Sequence, residues 1–207
     1  MKNKRVIVPI IVILAVLIVD QIVKIWVKTH MMIGDEIHIL GDRVMLKFVE
    51  NPGMAFGMEL GGNWGKMALS LFRILAVGGL IWYLVVLIKK KSNLFLITCI
   101  SLIIAGAAGN LIDCAFYGMI FTDSYGHIAQ MFPDGGGYAG FLMGRVVDMF
   151  YCPVIQTESF TFFSPIFNVA DSAITITVFM MIIGYKKILP PKDEEEKKDE
   201  EIIEDAK

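Results

Sequence analysis

The sequence is poor in charged residues and in cysteine. Charged residues make up 19% of the 207 residues, against about a quarter in soluble domains, whereas hydrophobic residues make up 56% and mean hydropathy is +0.63. Only three cysteines are present, with no CxxC or Cys/His spacing, which argues against a disulfide framework and a structural zinc site. We therefore expect a multi-pass membrane protein that needs no metal and no other cofactor.

The formal net charge of −2 is spread unevenly along the chain. Residues 192–207 hold nine acidic and four basic side chains, which leaves 15 basic and 12 acidic side chains in residues 1–191. That small positive surplus argues against a nucleic-acid-binding protein. We expect a membrane domain at residues 1–189, followed by an acidic, disordered cytoplasmic tail at residues 190–207 that starts at a Pro-Pro pair.

Four stretches are long and apolar enough to cross a bilayer. A hydrocarbon core of about 30 Å takes roughly 20 residues at a rise of about 1.5 Å each. No small-x-small cleavage site follows the first stretch, so we expect it to remain as a helix rather than to be removed as a signal peptide. We predict an all-α membrane protein with four transmembrane helices, at Val6–Val27, Met67–Ile88, Leu94–Ile112 and Ile166–Tyr185.

Lysine and arginine predict the orientation of these helices. They cluster in residues 2–5, 89–91 and 186–187, and cytoplasmic segments retain such residues. This pattern places both termini in the cytoplasm and makes residues 28–66 and 113–165 outer loops. Any chemistry in these loops then occurs at the outer membrane interface.

The two outer loops differ in their local patterns. Alternating apolar residues at 44–48, preceded by a Gly-Asp turn, predict a small β-hairpin or cradle in the first loop. The second loop contains Gly135–Gly137, which we interpret as a flexible stretch, and a β-like segment at Ile155–Phe163.

Four aspartates fall at the outer ends of the predicted spans or in the adjoining loop. They are Asp20, Asp113, Asp148 and Asp171. A lone aspartate at such a position is as consistent with a helix cap or a snorkelling side chain as with chemistry. Four in one interfacial layer favour a functional site, because ionisable groups at membrane depth are costly unless they are paired or hydrated.

Asp148 and Asp171 are candidates for a catalytic pair. If tertiary folding brings them together, charge repulsion makes one hold a proton while the other stays ionised. The ionised carboxylate can then activate water while its partner polarises a carbonyl, which is acid-base hydrolysis of a peptide bond. The sequence contains no GxSxG or HExxH motif, and we expect its three histidines at the surface.

Five short motifs, in order along the four predicted spans, resemble those of the lipoprotein signal peptidases, also called signal peptidase II. The resemblance extends over residues 6–187. The motifs are Asp20-Gln21 with Lys24, Asn51–Gly57, Gly106–Asp113, Val146–Phe150 and Phe167–Ala173.

The resemblance implies a membrane aspartic endopeptidase that removes the signal peptide from diacylglyceryl-modified prolipoproteins, just before the lipidated cysteine. It implies a multi-pass protein of the bacterial inner membrane with an extracytoplasmic active site, prolipoprotein and membrane-lipid partners, and inhibition by globomycin. By the same match, Asp148 and Asp171 are the catalytic dyad. The positions that support the dyad or line the substrate site are Asp20, Lys24, Asn51, Asn110, Asp113 and Asn168.

Several motif residues also admit structural roles. Asn51 could contact the substrate backbone or only form a turn. Asn110 and Asn168 could hold the dyad or the substrate, or cap helices. Gly106 and Gly109, three residues apart, favour close helix packing.

The sequence departs from the family's pattern in two places. Cys114 stands where family members usually have arginine, and we hypothesise that Arg145 supplies the missing charge beside Asp113. Residues 119–144 read as an insertion, either a mobile lid or docking loop or a tolerated surface loop. Cys114 and Cys152 could form a disulfide or remain two thiols.

Other function classes remain open at this point. A small proton-coupled transporter also places carboxylates in membrane helices, although it favours charges at the bilayer midplane and inverted repeats. A membrane assembly factor without catalysis is a further alternative, but it leaves the paired aspartates unexplained.

Overall fold

The structure is a computed structural model that describes residues 4–52, 62–153, 155–156, 161–162 and 165–188. The predicted acidic tail at residues 190–207, the basic residue at position 2 and the part of the second motif at Gly53–Gly57 lie outside these described residues. Within them the chain is mostly helical, with a small antiparallel sheet, consistent with the membrane protein expected from composition.

Helices account for most of the described chain. Three of them are long and apolar enough to cross a membrane, namely Lys4–His30, Trp64–Lys89 and Leu94–Ile120, whereas Val169–Ile183 is shorter. The helices are α1 (Lys4–His30), α2 (Gly62–Lys89), α3 (Leu94–Ile112), a π-helix (Asp113–Tyr117), α4 (Gly118–Ile120), α5 (Val169–Ile183) and α6 (Tyr185–Ile188).

These helices place apolar side chains outside and polar side chains inside. Leu75 and Ile183 are among the most exposed residues, whereas Lys24 and Thr177 are fully buried. In water this arrangement would be unfavourable, but in a bilayer the lipid covers the apolar faces and polar groups pair with each other. Burial therefore supports the assignment of these helices to a membrane.

The predicted fourth span, Ile166–Tyr185, is wrong at its start. Ile166 and Phe167 form a short strand, and the helix begins only at Val169. Asn168 ends the strand because its side chain accepts a hydrogen bond from the backbone N–H of Asp171, which completes a capping box.

The sheet forms where the sequence predicts a hairpin. Four antiparallel strands are ordered β1-β2-β3-β6, and two short strands, β4 and β5, pair separately within the segment predicted to be β-like. In this sheet Asp148 lies opposite Val49. The strands are β1 (Glu36–Leu40), β2 (Val44–Asn51), β3 (Val146–Tyr151), β4 (Ile155–Gln156), β5 (Thr161–Phe162) and β6 (Ile166–Phe167).

Residues 119–144, here called the insert, fold back along the C-terminal end of α3. Successive backbone N–H groups of the insert and its neighbours donate to carbonyls in and beside the π-helix. Two of the acceptors, Ala115 and Cys114, lie in the π-helix itself. The donor and acceptor pairs are Tyr138–Phe121 (2.9 Å), Ala139–Gly118 (2.9 Å), Leu142–Ala115 (3.3 Å) and Gly144–Cys114 (2.8 Å).

Glycines make this docking possible. A Cβ atom on Gly137 would lie 2.1 Å from the carbonyl oxygen of Gly118, and one on Gly144 would lie 2.1 Å from that of Asp113. We expected a flexible stretch at Gly135–Gly137, but the backbone of Gly137 lies in close contact with the backbone of Gly118. Phe121, Ser124 and other insert residues are buried, so the insert is packed onto the protein.

Two apolar clusters hold these parts together. One joins the C-terminal end of α1, the sheet and the insert, and includes Val27, Phe48, Phe121 and Val147. The other lies between α2 and α3 and includes Leu84 and Ile97 among its members. All three cysteines are free thiols, so Cys114 and Cys152 are not bonded to each other.

Candidate active site

Asp148 lies in the buried centre of β3 and is 6% exposed. Its Oδ1 accepts a hydrogen bond of 2.7 Å from the side-chain amide of Asn168, and the side chain of Asn51 also hydrogen-bonds to it. Burial, reinforced by the nearby charge of Asp171, raises the pKa of Asp148 to about 7. Asp148 is therefore an aspartate that can hold a proton near neutral pH.

Asp171 lies in the first turn of α5, where its carboxylate is held by N–H donors. Its Oδ1 accepts 2.8 Å from the side-chain amide of Asn110, and its Oδ2 accepts 3.3 Å from the backbone N–H of Asn168. Since Asn168 also donates to Asp148, the two aspartates are neighbours that share one asparagine. The structure thus brings together the pair that the sequence proposed.

The two buried asparagines join the aspartates into one network. The amide nitrogen of Asn168 donates to Asn110 Oδ1 over 3.0 Å, and Lys24 donates to the same oxygen over 2.9 Å. Asn168 also caps α5. The alternatives of helix cap and dyad contact are therefore both realised at Asn168.

Lys24 connects this network to two further carboxylates. Its Nζ lies 2.8 Å from Asp20 Oδ2 and 2.8 Å from Asp113 Oδ2, and all three side chains are fully buried. Asp20 accepts from the backbone N–H of Ala170, and Asp113 accepts from that of Val147. The carboxylates of Asp20 and Asp113 thereby hold the segments that carry Asp171 and Asp148, respectively.

Close helix contact is needed for this network to form. A Cβ atom on Gly106 would lie 2.4 Å from the carbonyl oxygen of Ala170, and one on Gly109 would lie 2.7 Å from Asp20 Oδ2. Both glycines therefore have the packing role that the sequence favoured.

The hypothesis that Arg145 supplies charge to Asp113 is wrong. Arg145 Nη1 instead lies 2.9 Å from Glu50 Oε2, while the cation beside Asp113 is Lys24. A guanidinium does reach Cys114, because Arg73 Nη1 of α2 lies 2.9 Å from its Sγ. The reason for the error is that Arg145 lies just before β3, where its guanidinium stacks over Tyr125 and Tyr138 of the insert.

Sequence reasoning missed a second buried charge cluster. Lys28 forms an ion pair with Glu50 and donates 2.9 Å to Ser124 Oγ, and Arg145 binds the other oxygen of Glu50. One available signal was the spacing of Lys28, one helical turn after Lys24 on a membrane helix. We refer to the residues around Lys24 as the inner cluster and to those around Lys28 as the outer cluster.

An apolar groove of about 610 Å³ opens beside Asp171. Its walls come from β6, from Cys152 and from the first two turns of α5. Among the described residues no group of three or more His, Cys, Asp or Glu could hold a metal ion. The three histidines are exposed, as expected: His30, His38 and His127.

Comparisons with known proteins bear on this geometry. The family model described as Signal peptidase (SPase) II matches residues 12–186. The lipoprotein signal peptidase of Porphyromonas gingivalis (strain W83) is 49% identical over 187 residues, covering 84% of this chain and 81% of the relative. That of Staphylococcus aureus (strain JH9) is 33% identical over 181 residues, with 87% and 88% covered.

Solved structures share the fold. A bacterial membrane enzyme determined by the in meso method at 1.9 Å resolution is 28% identical, with a TM-score of 0.59, covering 86% of this chain and 91% of that one. A second structure of this description, at 2.3 Å, is also 28% identical with a TM-score of 0.58, covering 86% and 87%.

Proposed function

This chain belongs to the signal peptidase II family of membrane peptidases and removes signal peptides from prolipoproteins, and we propose that Asp148 and Asp171 are its catalytic pair. The observation that carries this proposal is the position of Asn168, which donates to Asp148 and caps the helix whose first turn carries Asp171. Because the chain belongs to this peptidase family, the alternative function of a proton-coupled transporter is no longer supported.

Asp171 acts as the general base and Asp148 as the general acid. The ionised Asp171 removes a proton from water, the water oxygen attacks the scissile carbonyl carbon, and Asp148 gives its proton to the carbonyl oxygen. The tetrahedral diol then breaks its C–N bond. The leaving amine takes the proton from Asp171, and Asp148 regains a proton from a diol hydroxyl.

The pKa of Asp148 supports this division of roles. A carboxyl with a pKa raised to about 7 can carry a proton near neutral pH, whereas the carboxylate of Asp171 accepts hydrogen bonds from two N–H donors. The remaining predicted site residues are positioning residues. Asn51 and Asn168 orient Asp148, and Asn110 orients Asp171. Asp20 and Asp113, which pair with Lys24, hold the segments that carry the dyad.

We further propose four spans, with both termini in the cytoplasm and the dyad at the outer face of the bacterial inner membrane. Support comes from the lysines at residues 89–91 and 186–187. The fourth span is α5, about 22 Å long, and α6 continues it after Gly184.

The substrate proposed is a diacylglyceryl-modified prolipoprotein that is cut just before its lipidated cysteine. An acyl-anchored cysteine keeps the scissile bond near the membrane surface, where the dyad is proposed to lie. The apolar groove, whose lining includes Asp171, offers apolar surface for an acyl chain next to the dyad. Globomycin is proposed to inhibit by occupying this site.

A gel-shift cleavage assay with a diacylglyceryl-modified prolipoprotein in detergent tests the dyad. Asp148→Asn and Asp171→Asn should each lower turnover by about 10³-fold or more, because each variant lacks a proton acceptor or donor. Asp42→Asn, at an exposed aspartate of the β1–β2 turn, is the matched control and should cleave normally. Cleavage by both dyad variants, once shown to be folded, would overturn the proposed roles.

A further inference from the structure

The insert carries a row of exposed apolar side chains beside the end of a membrane-spanning helix. Phe132 is 70% exposed, Phe141 54% and Met131 41%, and two neighbouring helix residues are similarly exposed. We call these five residues the apolar ridge: Phe116, Met119, Met131, Phe132 and Phe141. Exposed aromatic and methionine side chains grouped in this way mark an interaction surface.

Backbone hydrogen bonds place the ridge at the depth of the helix end. The N–H of Phe132 donates over 2.7 Å to the carbonyl of Ile120, the last residue of the apolar span Leu94–Ile120. The ring of Phe141 packs against that of Phe116, with centroids 5.9 Å apart. Phe116 lies four residues before Ile120, about 6 Å further into the span.

The insert can enter this depth because its backbone is hydrogen-bonded. Irregular backbone within a bilayer is tolerated only where its polar groups have partners. Here the N–H groups of Ala139, Leu142 and Gly144 donate to carbonyls in and next to the π-helix. These bonds pair part of the insert's backbone, as contact with lipid requires.

The backbone at Phe132 adopts a conformation that is unusual for a residue other than glycine. This residue has φ of +56°, a conformation that is costly for a bulky side chain. In water, an exposed phenylalanine in this conformation buries little apolar surface that would offset the cost of the backbone conformation.

We propose that the apolar ridge inserts into the acyl-chain region of the outer leaflet and holds the insert on the membrane beside the active site. The partner is uncharged lipid surface, because residues 119–144 contain no lysine or arginine to bind anionic headgroups. Two ridge residues, Phe116 and Met119, themselves belong to the apolar span Leu94–Ile120, which favours lipid over a second protein. This inference rests on the membrane orientation proposed above.

Tryptophan fluorescence of the full chain in bilayers tests the proposal. Phe132→Trp and His127→Trp each add one tryptophan to the three present, and wild type provides the baseline. His127 is the matched control, since it lies in the same insert but is exposed at a polar turn. Phosphatidylcholine brominated on its acyl chains quenches tryptophan in lipid, and acrylamide quenches tryptophan in water.

For Phe132→Trp we expect brominated lipid to remove about half or more of the added emission and acrylamide to have little effect. His127→Trp should behave in the opposite way. The quenching of Phe132→Trp should be equal with and without phosphatidylglycerol. Phe141→Trp, expected to behave like Phe132→Trp, is the second variant if Phe132→Trp does not fold.

Two results would overturn the proposal. Quenching of both ridge variants by acrylamide would mean that the ridge faces water, and protection from both quenchers would mean that protein covers it. The measurement reads depth rather than cleavage, so it is independent of the outcome for Asp148 and Asp171.

Discussion

Two lysines one turn apart on α1 have different surroundings. Lys24 and Lys28 are both fully buried, and each is paired with a carboxylate. Lys24 contacts Asp20 and Asp113 in the inner cluster, which is connected to the dyad through Asn110. Lys28 contacts Glu50 in the outer cluster, which joins α1 to the sheet and the insert.

The charge balance of the two clusters is opposite. The inner cluster has one cation and two carboxylates, whereas the outer cluster has two cations, Lys28 and Arg145, and one carboxylate. Aromatic rings cover the surplus cations, since Tyr138 lies 5.1 Å from Lys28 and 5.0 Å from Arg145. Lys24 therefore helps to position the dyad, because it contacts Asn110, whereas Lys28, covered by aromatic rings, holds α1 against the sheet and the insert.

Replacing each lysine by methionine separates the two roles most strongly. Lys24→Met should lower kcat by about 10²-fold, because the dyad segments lose their common anchor. Lys28→Met should keep kcat but lose about 3–5 kcal/mol of unfolding free energy, because Glu50 loses its buried partner. Cleavage per folded molecule and denaturant unfolding in micelles measure the two effects. Equal losses of kcat in both variants would remove the distinction.

The pH dependence should also differ between the clusters. Because the pKa of Asp148 is raised to about 7, the general acid is protonated below that pH, and kcat/KM should fall about tenfold per unit above it. Glu50→Gln, in the outer cluster, should leave this profile unchanged. If the profile of kcat/KM is flat between roughly pH 6 and pH 9, the proposed role of Asp148 as general acid is contradicted.

The same pKa has a consequence for stability with a defined sign. The folded state holds a proton on Asp148 that the unfolded chain releases above about pH 4, so this group's contribution to the unfolding free energy falls as pH rises to about 7. The slope is about 1.4 kcal/mol per pH unit within that window. Asp148→Asn should abolish that slope in unfolding measurements made across the window.

The contact between the insert and the inner cluster can be weakened at one glycine. Gly144→Ala should cost about 1–3 kcal/mol, because its Cβ would overlap the carbonyl of Asp113. Gly140→Ala is the control in the same loop, since a Cβ there meets open space. Thermal unfolding of the two variants compares them directly. Similar melting temperatures would show that the insert is not closely packed at Gly144.

The smallest expected effect is at Arg145. Arg145→Gln should change kcat/KM by less than about threefold, because Lys28 still pairs with Glu50. A double-mutant cycle with Glu50→Gln should give a coupling of about 1 kcal/mol in unfolding free energy. A large loss of kcat in Arg145→Gln would restore a role for Arg145 near Asp113.

The sequence predicted the inner cluster better than the outer one for a physical reason. Helical spacing puts Asp20 and Lys24 on one face, and the positive-inside pattern puts the other aspartates at the same membrane depth. Glu50, in β2, and Arg145, just before β3, are 95 positions apart, and Ser124 lies in the insert. No periodicity relates such residues, so their partners become visible only in the folded chain.

Element boundaries show a similar limit. The hairpin in the first outer loop followed from alternation, and α3 has the predicted bounds. The π-helix at Asp113–Tyr117 did not follow from the sequence, because one extra residue per turn leaves an apolar pattern almost unchanged. The start of α5 depended on the cap at Asn168, which hydropathy does not detect.

The placement of both lysines on the first helix affects how the protein is made. Lys24 already has Asp20 as a partner within the same helix, so this pair can enter the bilayer as a neutral unit as soon as α1 is synthesised. Lys28 has no such partner within α1 and pairs with Glu50, 22 residues later. Lys28 therefore meets Glu50 only after β2 leaves the ribosome. The inner cluster is complete once Asp113 has followed α3, whereas the outer cluster also needs Ser124 and Arg145 from later in the chain.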